Sequence, residues 1–253
     1  MIRLALLLAL AASPIGAETV AVRTSEGLAH ELLTLRTLEG TTLADGDLLQ
    51  VAEGHRVTTR LQFRFRDGSS HAQTTVYTQD GRFRLVSDHV VQKGPAFPRT
   101  LESNIDVASG RVTVRYTENG KTKDVDEKME LPDDLANGLV LTLLKNVDPK
   151  TPKTVVSLLA IMPKPRLVKL EVTPAGEQPY TTGGTSRKAT HYLVKVDVGG
   201  VIGVLADMLD KTPPDSHVFV SSGEAPAFVR SESPLYVGGP LWRIQLVSPE
   251  LGR

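Results

Sequence analysis

The chain has 253 residues, with 29 basic residues, 29 acidic residues and no cysteine. The lack of cysteine excludes disulfide bonds, thiol catalysis and cysteine metal sites. The balanced charge gives no overall attraction to nucleic acid or to anionic membranes, and we predict no nucleic-acid partner.

Residues 1–17 have the three parts of a secretory signal peptide. Arg3 lies in a short charged start, residues 4–12 are an apolar run of Leu and Ala, and residues 13–17 end in the small residues Gly16 and Ala17. The apolar run is shorter than the roughly 20 residues that span a bilayer. We therefore predict cleavage after Ala17, a mature chain without an integral membrane segment, and export to the periplasm, with the extracellular space as the alternative. The other interpretation of these residues is a buried N-terminal helix.

Alternation of apolar and polar residues dominates the mature chain and predicts β-strands. No change in composition divides residues 18–253, so we predict a single β-rich domain there. The predicted strands are residues 32–38, 47–51, 57–66, 70–79, 82–92, 101–107, 111–118, 155–162, 167–173, 188–198, 217–220, 227–231 and 241–247.

Two segments break this alternation. Residues 131–144 begin with Pro132 and two acidic residues, and leucines recur at 135, 139 and 143, which predicts a helix. It is apolar nearly all round, so we expect the sheet to cover it. Residues 199–209 fit either a short helix or a strand, and we favour a helical turn that ends at Pro213.

The Asp67–Gly68 and Asp80–Gly81 pairs predict two hairpins with two-residue turns. This register gives the three strands that the two hairpins join, residues 57–66, 70–79 and 82–92, one apolar face and one basic face. The apolar face carries Leu61, Phe63, Phe65, Val76, Phe83, Leu85, Ser87 and His89. The basic face carries Arg60, Arg64, Arg66, His71, Tyr77, Arg82 and Arg84.

Each face has two interpretations. The apolar face is either an ordinary core or part of a pocket for an apolar ligand, and His89 is either a hydrogen-bonded core residue or a polar contact to that ligand. The candidate ligand-binding residues are Phe63, Phe65, Val76, Phe83, Leu85 and His89. The basic face is either a solvated sheet surface or a docking site for an anionic partner. The candidate partner-binding residues are Arg60, Arg64, Arg66, Arg82, Arg84 and Tyr77.

Catalytic motifs are lacking in the sequence. The six histidines have neither the HxH nor the HExxH spacing of zinc sites, and there is no Gly-x-Ser-x-Gly elbow. Gly183–Gly184 lacks the lysine and spacing of a phosphate-binding loop. We therefore predict no catalytic residues, no metal and no cofactor.

Taken together, the many meandering strands, the apolar mid-chain segment and the export signal resemble the periplasmic proteins of the lipoprotein-carrier type. Locally, QKGPAFP (residues 92–98), LPDDLANG (131–138) and GPLWRI (239–244) are similar to an uncharacterised family of exported bacterial proteins. The resemblance implies a location in the bacterial envelope and a mainly β fold: a curved antiparallel, incompletely closed β-barrel wrapped around one or two apolar helices. No site residue transfers by position, and the chain departs from lipid-anchored relatives because it has no lipobox cysteine.

Our leading functional hypothesis is noncatalytic binding of an apolar or amphiphilic, lipid-like ligand in the cell envelope. The alternative is an interaction or scaffolding module that contacts an envelope protein through the basic face. A third hypothesis is an enzyme of unknown reaction, which the missing motifs disfavour.

Overall fold

The computed structural model describes residues 19–161, 164–197 and 213–247. One antiparallel sheet of fourteen strands, with one short helix, makes up the regular structure of these residues. The strands are β1 (Ala29–Arg36), β2 (Thr42–Glu53), β3 (Arg56–Phe65), β4 (Ser70–Asp80), β5 (Arg82–Lys93), β6 (Thr100–Asp106), β7 (Arg111–Glu118), β8 (Lys121–Lys128), β9 (Thr154–Ala160), β10 (Arg166–Thr182), β11 (Thr185–Asp197), β12 (Ser216–Ser221), β13 (Phe228–Ser233) and β14 (Trp242–Leu246). The helix is α1 (Val140–Leu144).

The sheet consists of two meanders. Strands β1 to β8 pair with their neighbours in chain order, and so do β9 to β14, while pairing of β1 with β14 joins the two sets. Strands β8 and β9 are the two edges and do not pair with each other. The prediction of a mainly β fold with an antiparallel sheet that is not closed is therefore confirmed.

Each predicted strand overlaps an observed strand, but β8 was not predicted. Its sequence, KTKDVDEK, carries a single apolar side chain, Val125, so it lacks the alternation on which the prediction depended. As an edge strand it is held through charge as well as backbone hydrogen bonds: Arg111 and Arg115 of β7 contact Asp126 and Asp124 at 2.6 and 2.7 Å. Charged side chains on an edge strand also oppose pairing with another chain.

The predicted helix over residues 131–144 was wrong in extent, because only the five residues of α1 are helical. The preceding residues instead follow the edge strand β9. Leu135 forms a parallel bridge with Ser157, and the Asn137 amide bonds to the Leu159 backbone. Side-chain to backbone bonds of this kind compete with helix formation. A sheet wrapped around helices is thus not supported, and the second predicted helix, at residues 199–209, lies outside the described residues.

Residues 134–147, which we call the crossing segment, occupy the concave side of the sheet. Leu135, Leu139, Leu143 and Leu144 of this segment are buried. They pack in one cluster with side chains of β3 to β7 and of β9 to β12, so strands from both meanders share a core. A second cluster lies near the β1–β14 junction and contains Leu33, Leu35, Ala44, Phe63, Phe65, Phe97, Phe228, Trp242 and Ile244.

Gly138 is the point where the crossing segment meets β4 and β5. Its φ of +68° lies in the left-handed region that glycine adopts without strain. A Cβ at this position would lie 2.1 Å from Thr75 Oγ1 and 2.7 Å from Asp88 Oδ1. Glycine is therefore required both by the backbone conformation and by the close approach to these two polar side chains.

Candidate functional site

Strand β4 directs polar side chains toward the buried face of the sheet. We call this row of alternate residues the β4 polar stripe: His71, Gln73, Thr75, Tyr77 and Gln79. All but the half-buried Gln73 are buried, and Tyr77 has no exposed surface. Interior faces of sheets are usually apolar, so a polar row on this face requires hydrogen-bond partners. The partners come from β2, β5 and the chain before β1.

At one end of the stripe, polar groups surround a buried ion pair. Lys145 of the crossing segment contacts Glu26 at 2.5 Å, and both side chains are largely buried. Gln50 donates to Glu26 Oε2 at 2.9 Å and accepts from the Tyr77 hydroxyl at 3.4 Å. Glu31 lies beside them, and burial raises the pKa of its carboxyl, an effect that Lys145 opposes.

In the middle of the stripe, Gln73 and Thr75 bind Asp88 of β5. The Thr75 hydroxyl donates to Asp88 Oδ1 at 2.7 Å, and Gln73 Nε2 donates to the same oxygen at 2.9 Å. Asp88 is buried, and burial raises the pKa of its carboxyl, whereas these two hydrogen bonds lower it. The carboxylate is thus held between β4, β5 and Gly138.

At the other end, His71 bonds to Gln92 of β5. Gln92 Nε2 lies 3.1 Å from His71 Nδ1 and 2.8 Å from the Leu235 carbonyl oxygen. His71 is 3% exposed, and burial lowers the pKa of its imidazole to about 4. The imidazole is therefore neutral at ordinary pH.

The predicted faces of β4 were wrong, because the first hairpin has a three-residue turn. Phe65 pairs with Ser69 around Arg66, Asp67 and Gly68, so Phe63 lies opposite His71. A shift of one residue moves every side chain of a strand to the opposite face. His71 and Tyr77 therefore point inward, whereas both were assigned to the basic face.

The same shift places Val76 on the outer face, although it was assigned to the apolar one. Its neighbours in the strand, Thr75 and Tyr77, are the inward residues. Val76 consequently cannot line an interior pocket, and Tyr77 cannot contact a partner on the outer surface.

The second hairpin turn also has three residues, since Gln79 pairs with Phe83. This second shift cancels the first, so Phe83 and Leu85 lie inside as predicted. A β-bulge at Val86 then reverses the remainder of β5. His89 consequently lies on the outer face, 43% exposed and 3.1 Å from Glu102, and Ser87 shares that face, whereas Asp88 points inward.

The predicted apolar residues of β3 and β5 belong to the core. Phe63 and Phe65 are buried in the cluster near the β1–β14 junction, where Phe65 packs 5.6 Å from Trp242. Phe83 and Leu85 are buried in the cluster around the crossing segment. None of the six predicted ligand-binding residues lines either of the cavities described next.

The arginines of the predicted basic face all lie on the outer surface. Arg82 donates to Thr19, and Arg84 forms an ion pair with Asp133. Among the described residues, the β3 arginines form no ion pair, and only Arg64 has a side-chain hydrogen bond, to Gln62. The unpaired positive charge is therefore concentrated on β3 and in the turn that follows it, at positions 60, 64 and 66.

An apolar cavity of about 360 Å³ lies between the two core clusters. Val140 and Leu141 of the crossing segment form one wall, together with Leu158 of the adjacent β9. Glu26, Glu31 and Lys145 border one end. The sheet supplies the remaining aliphatic walls, with Leu33, Leu48, Leu61, Leu170, Val194, Val196, Val218 and Ile244.

A second, more polar cavity of about 390 Å³ adjoins the first. The two share Gln73, Gly138, Leu158, Pro234 and Leu235 as lining residues. The polar cavity is also bordered by His71, Asp88, Gln92, Ser103, Arg99 and Tyr116. Both cavities thus contact the β4 polar stripe. The sequence missed this site because the inward residues of β4 are more polar than the outward ones, so the apolar pattern selected the wrong face.

Within the part of the chain that the structure describes, no three His, Asp or Glu side chains are arranged to hold a metal ion. No helix in those same ranges has the length and apolarity needed to cross a membrane.

Comparison with known proteins yields structural similarity but no sequence match. No protein-family model matches the sequence, and no curated protein matches it. A crystal structure from Brucella abortus, described as a beta-barrel-like protein of the domain of unknown function DUF1849, superimposes with a TM-score of 0.48 at 11% identity. The match covers 89% of this chain and 98% of that protein.

Proposed function

We propose that this chain is a noncatalytic binding protein that holds an apolar or amphiphilic small molecule inside the curved sheet. The observation that carries the proposal is the apolar cavity between the two core clusters. Its volume of about 360 Å³ falls in the range of ligand pockets, about 300 to 1,000 Å³. Pockets of this kind are lined mostly by apolar side chains, with a small number of polar groups that orient the ligand.

The signal-like pattern of residues 1–17 supports placing this function in the cell envelope, in the periplasm. An apolar or lipid-like molecule crossing an aqueous compartment gains free energy when its apolar surface is removed from water. Enclosure by the sheet would provide that removal.

Filling the cavity tests the proposal. Leu48 borders the cavity from β2, so we expect Leu48→Trp to weaken binding of the neutral dye N-phenyl-1-naphthylamine at least tenfold. Leu49→Trp is the matched control, because alternation along β2 places Leu49 on the outer face. Dye fluorescence titration measures both. No binding to the wild type, or equal binding to both variants, would overturn the proposal.

The unpaired arginines of β3 support a second candidate function, the docking of an acidic protein surface. Three exposed guanidinium groups on β3 and the turn after it, without ion pairs among the described residues, leave positive charge available to a partner. Such contacts between exposed charges weaken as salt concentration rises. The partner would contact the outer face of the sheet, independently of any ligand inside it.

Charge reversal tests this second candidate. We expect the double variant Arg60→Glu, Arg64→Glu to lose the salt-sensitive capture of an envelope partner in pull-downs. Its melting temperature should change little, since exposed ion pairs contribute about 0–1 kcal/mol to the free energy of unfolding. The control reverses the same amount of charge elsewhere, with Lys121→Glu and Arg187→Glu, both exposed on other strands. Identical captured proteins for the wild type and the first variant would exclude this function.

A further inference from the structure

The geometry around His71 determines which ring nitrogen carries its proton. Gln92 Nε2 lies within hydrogen-bond distance of the Leu235 carbonyl oxygen, which only accepts, so this atom is the amide nitrogen. The same nitrogen contacts His71 Nδ1, so the amide donates and Nδ1 accepts. In a neutral imidazole the proton then resides on Nε2.

This Nε2–H group has no partner in the described protein. The nitrogen is buried and forms no hydrogen bond, although His71 itself lines the polar cavity. Each of the other members of the β4 polar stripe does have a hydrogen-bond partner, which for Gln79 is the Glu26 backbone. An unpaired buried donor destabilises the folded protein, so an acceptor that enters the cavity and bonds to it would recover this free energy.

The position of His71 relates the two cavities. Inward residues along a strand are about 7 Å apart, so His71 lies one such step beyond Gln73, which borders both cavities. An elongated molecule that fills the apolar cavity beside Thr75 and Gln73 would present its next atoms to His71. The polar cavity therefore lies where the polar end of such a molecule would be placed.

The charges around the polar cavity indicate whether the polar end of the ligand is anionic or uncharged. The Asp88 carboxyl borders it, and the positive charge of Arg99 is paired with Glu118 at 3.1 Å. An anionic headgroup would meet Asp88 without a free cation to balance it. An uncharged oxygen acceptor, such as an ester or amide carbonyl, matches both the free Nε2–H donor and the surrounding charge.

We propose that His71 is a specificity-determining residue whose Nε2–H donates a hydrogen bond to an uncharged carbonyl oxygen of an amphiphilic ligand. The apolar part of this ligand occupies the apolar cavity, so the inference rests on the proposed function. The ligand class is therefore a neutral acyl ester or amide, in preference to a free fatty acid or a pure hydrocarbon.

The test compares three probes on wild-type protein and on His71→Phe, which keeps a ring but removes the donor. The probes are 1-monolauroylglycerol, dodecanoate and the oxygen-free dye N-phenyl-1-naphthylamine. We expect His71→Phe to bind monolauroylglycerol about tenfold more weakly and the dye with unchanged affinity. Wild-type protein should bind monolauroylglycerol more tightly than dodecanoate. Equal affinity of the wild type and His71→Phe for monolauroylglycerol would overturn the role of His71.

A second measurement does not depend on a variant that folds. In wild-type protein, nitrogen-15 NMR should show His71 protonated at Nε2, and this proton should change its resonance on saturation with monolauroylglycerol. An Nδ1-protonated ring, or an unchanged resonance at saturation, would overturn the inference. If the dye binds and Leu48→Trp removes that binding, the proposed function stands even when the His71 proposal fails. If no probe binds wild-type protein, both fail.

Discussion

At the scale of single residues, the interior of this protein departs from a simple apolar core at β4. His71 is the residue with the largest consequence, because it is buried, neutral and bonded on only one ring nitrogen. Asp88 is buried nearby with its pKa raised by burial. Both groups titrate differently in the folded and unfolded chain, so both connect stability to pH.

Because His71 is buried in its neutral form, we expect the free energy of unfolding to fall in acid. Its pKa is about 4 when folded against 6.5 in an unfolded chain, so the unfolded state takes up a proton first as pH falls. The stability present above pH 6.5 should decline between pH 6.5 and 4 by up to about 3 kcal/mol, since each pH unit between the two pKa values corresponds to roughly 1.4 kcal/mol. Urea unfolding of wild-type protein and His71→Phe across this range measures the difference.

The comparison with His71→Phe isolates this effect from other groups. Asp88 and Glu31 have raised pKa values in the folded protein. Their protonation therefore increases the free energy of unfolding as pH falls, which is the opposite of the effect of His71. They are present in both proteins and cancel in the difference between the two curves. A difference in unfolding free energy that stays constant from pH 7 to pH 4 would contradict the assigned pKa of His71.

At the scale of elements, the contact between the crossing segment and β9 depends on one side chain. The Asn137 amide donates to the Leu159 carbonyl at 2.9 Å and accepts from the Leu159 N–H at 2.8 Å. It therefore occupies the place that a neighbouring strand would take on this edge. Asn137 is buried, so water cannot replace these two bonds.

We expect Asn137→Leu to lower the free energy of unfolding by about 3 kcal/mol, because it leaves two buried backbone groups without partners. The control is Asn104→Leu, which changes the same residue type on the outer face of β6, opposite His89. Urea unfolding gives the free energies, and hydrogen exchange at the Leu159 amide locates the effect. A stability loss no larger than that of Asn104→Leu would contradict this role of Asn137.

Elements were predictable from the sequence to different degrees. Alternation in β3 fixes its two faces, because Val57, Phe63 and Phe65 can be buried only on one side. The faces of β4 and β5 depend on turn length and on the bulge at Val86. An Asp–Gly pair is compatible with turns of two or three residues, and these place the following strand on opposite faces.

At the scale of the whole molecule, the crossing segment joins the two meanders through a shared core. Leu139 is buried in the cluster to which strands of both meanders contribute. The pairing of β1 with β14 provides the second junction and connects residues near the two ends of the described chain, such as Leu33 and Leu246. The two meanders are therefore expected to unfold together.

We expect Leu139→Ala to reduce stability by about 2–5 kcal/mol, the usual cost of removing a large buried aliphatic side chain. Because both meanders contact the same cluster, amide protection in β5 and in β11 should fall by the same amount in native-state hydrogen exchange. Leu32→Ala, at an exposed leucine on β1, is the control. Reduced protection in only one of the two strands would show that the meanders unfold separately.

The candidate site separates the features that the sequence determines locally from those that depend on the tertiary structure. The local pattern determined that the chain forms antiparallel strands joined by glycine turns, because side-chain alternation and turn chemistry act over a few residues. Tertiary structure decided that the polar residues of β4 face inward and that residues 131–139 precede the helix rather than belong to it. It also decided that the cavities lie beside Leu48 and His71, not beside Phe63 and His89. These outcomes depend on contacts between residues far apart in the chain, such as Gly138 with Asp88 and Gln92 with Leu235, which no local pattern contains.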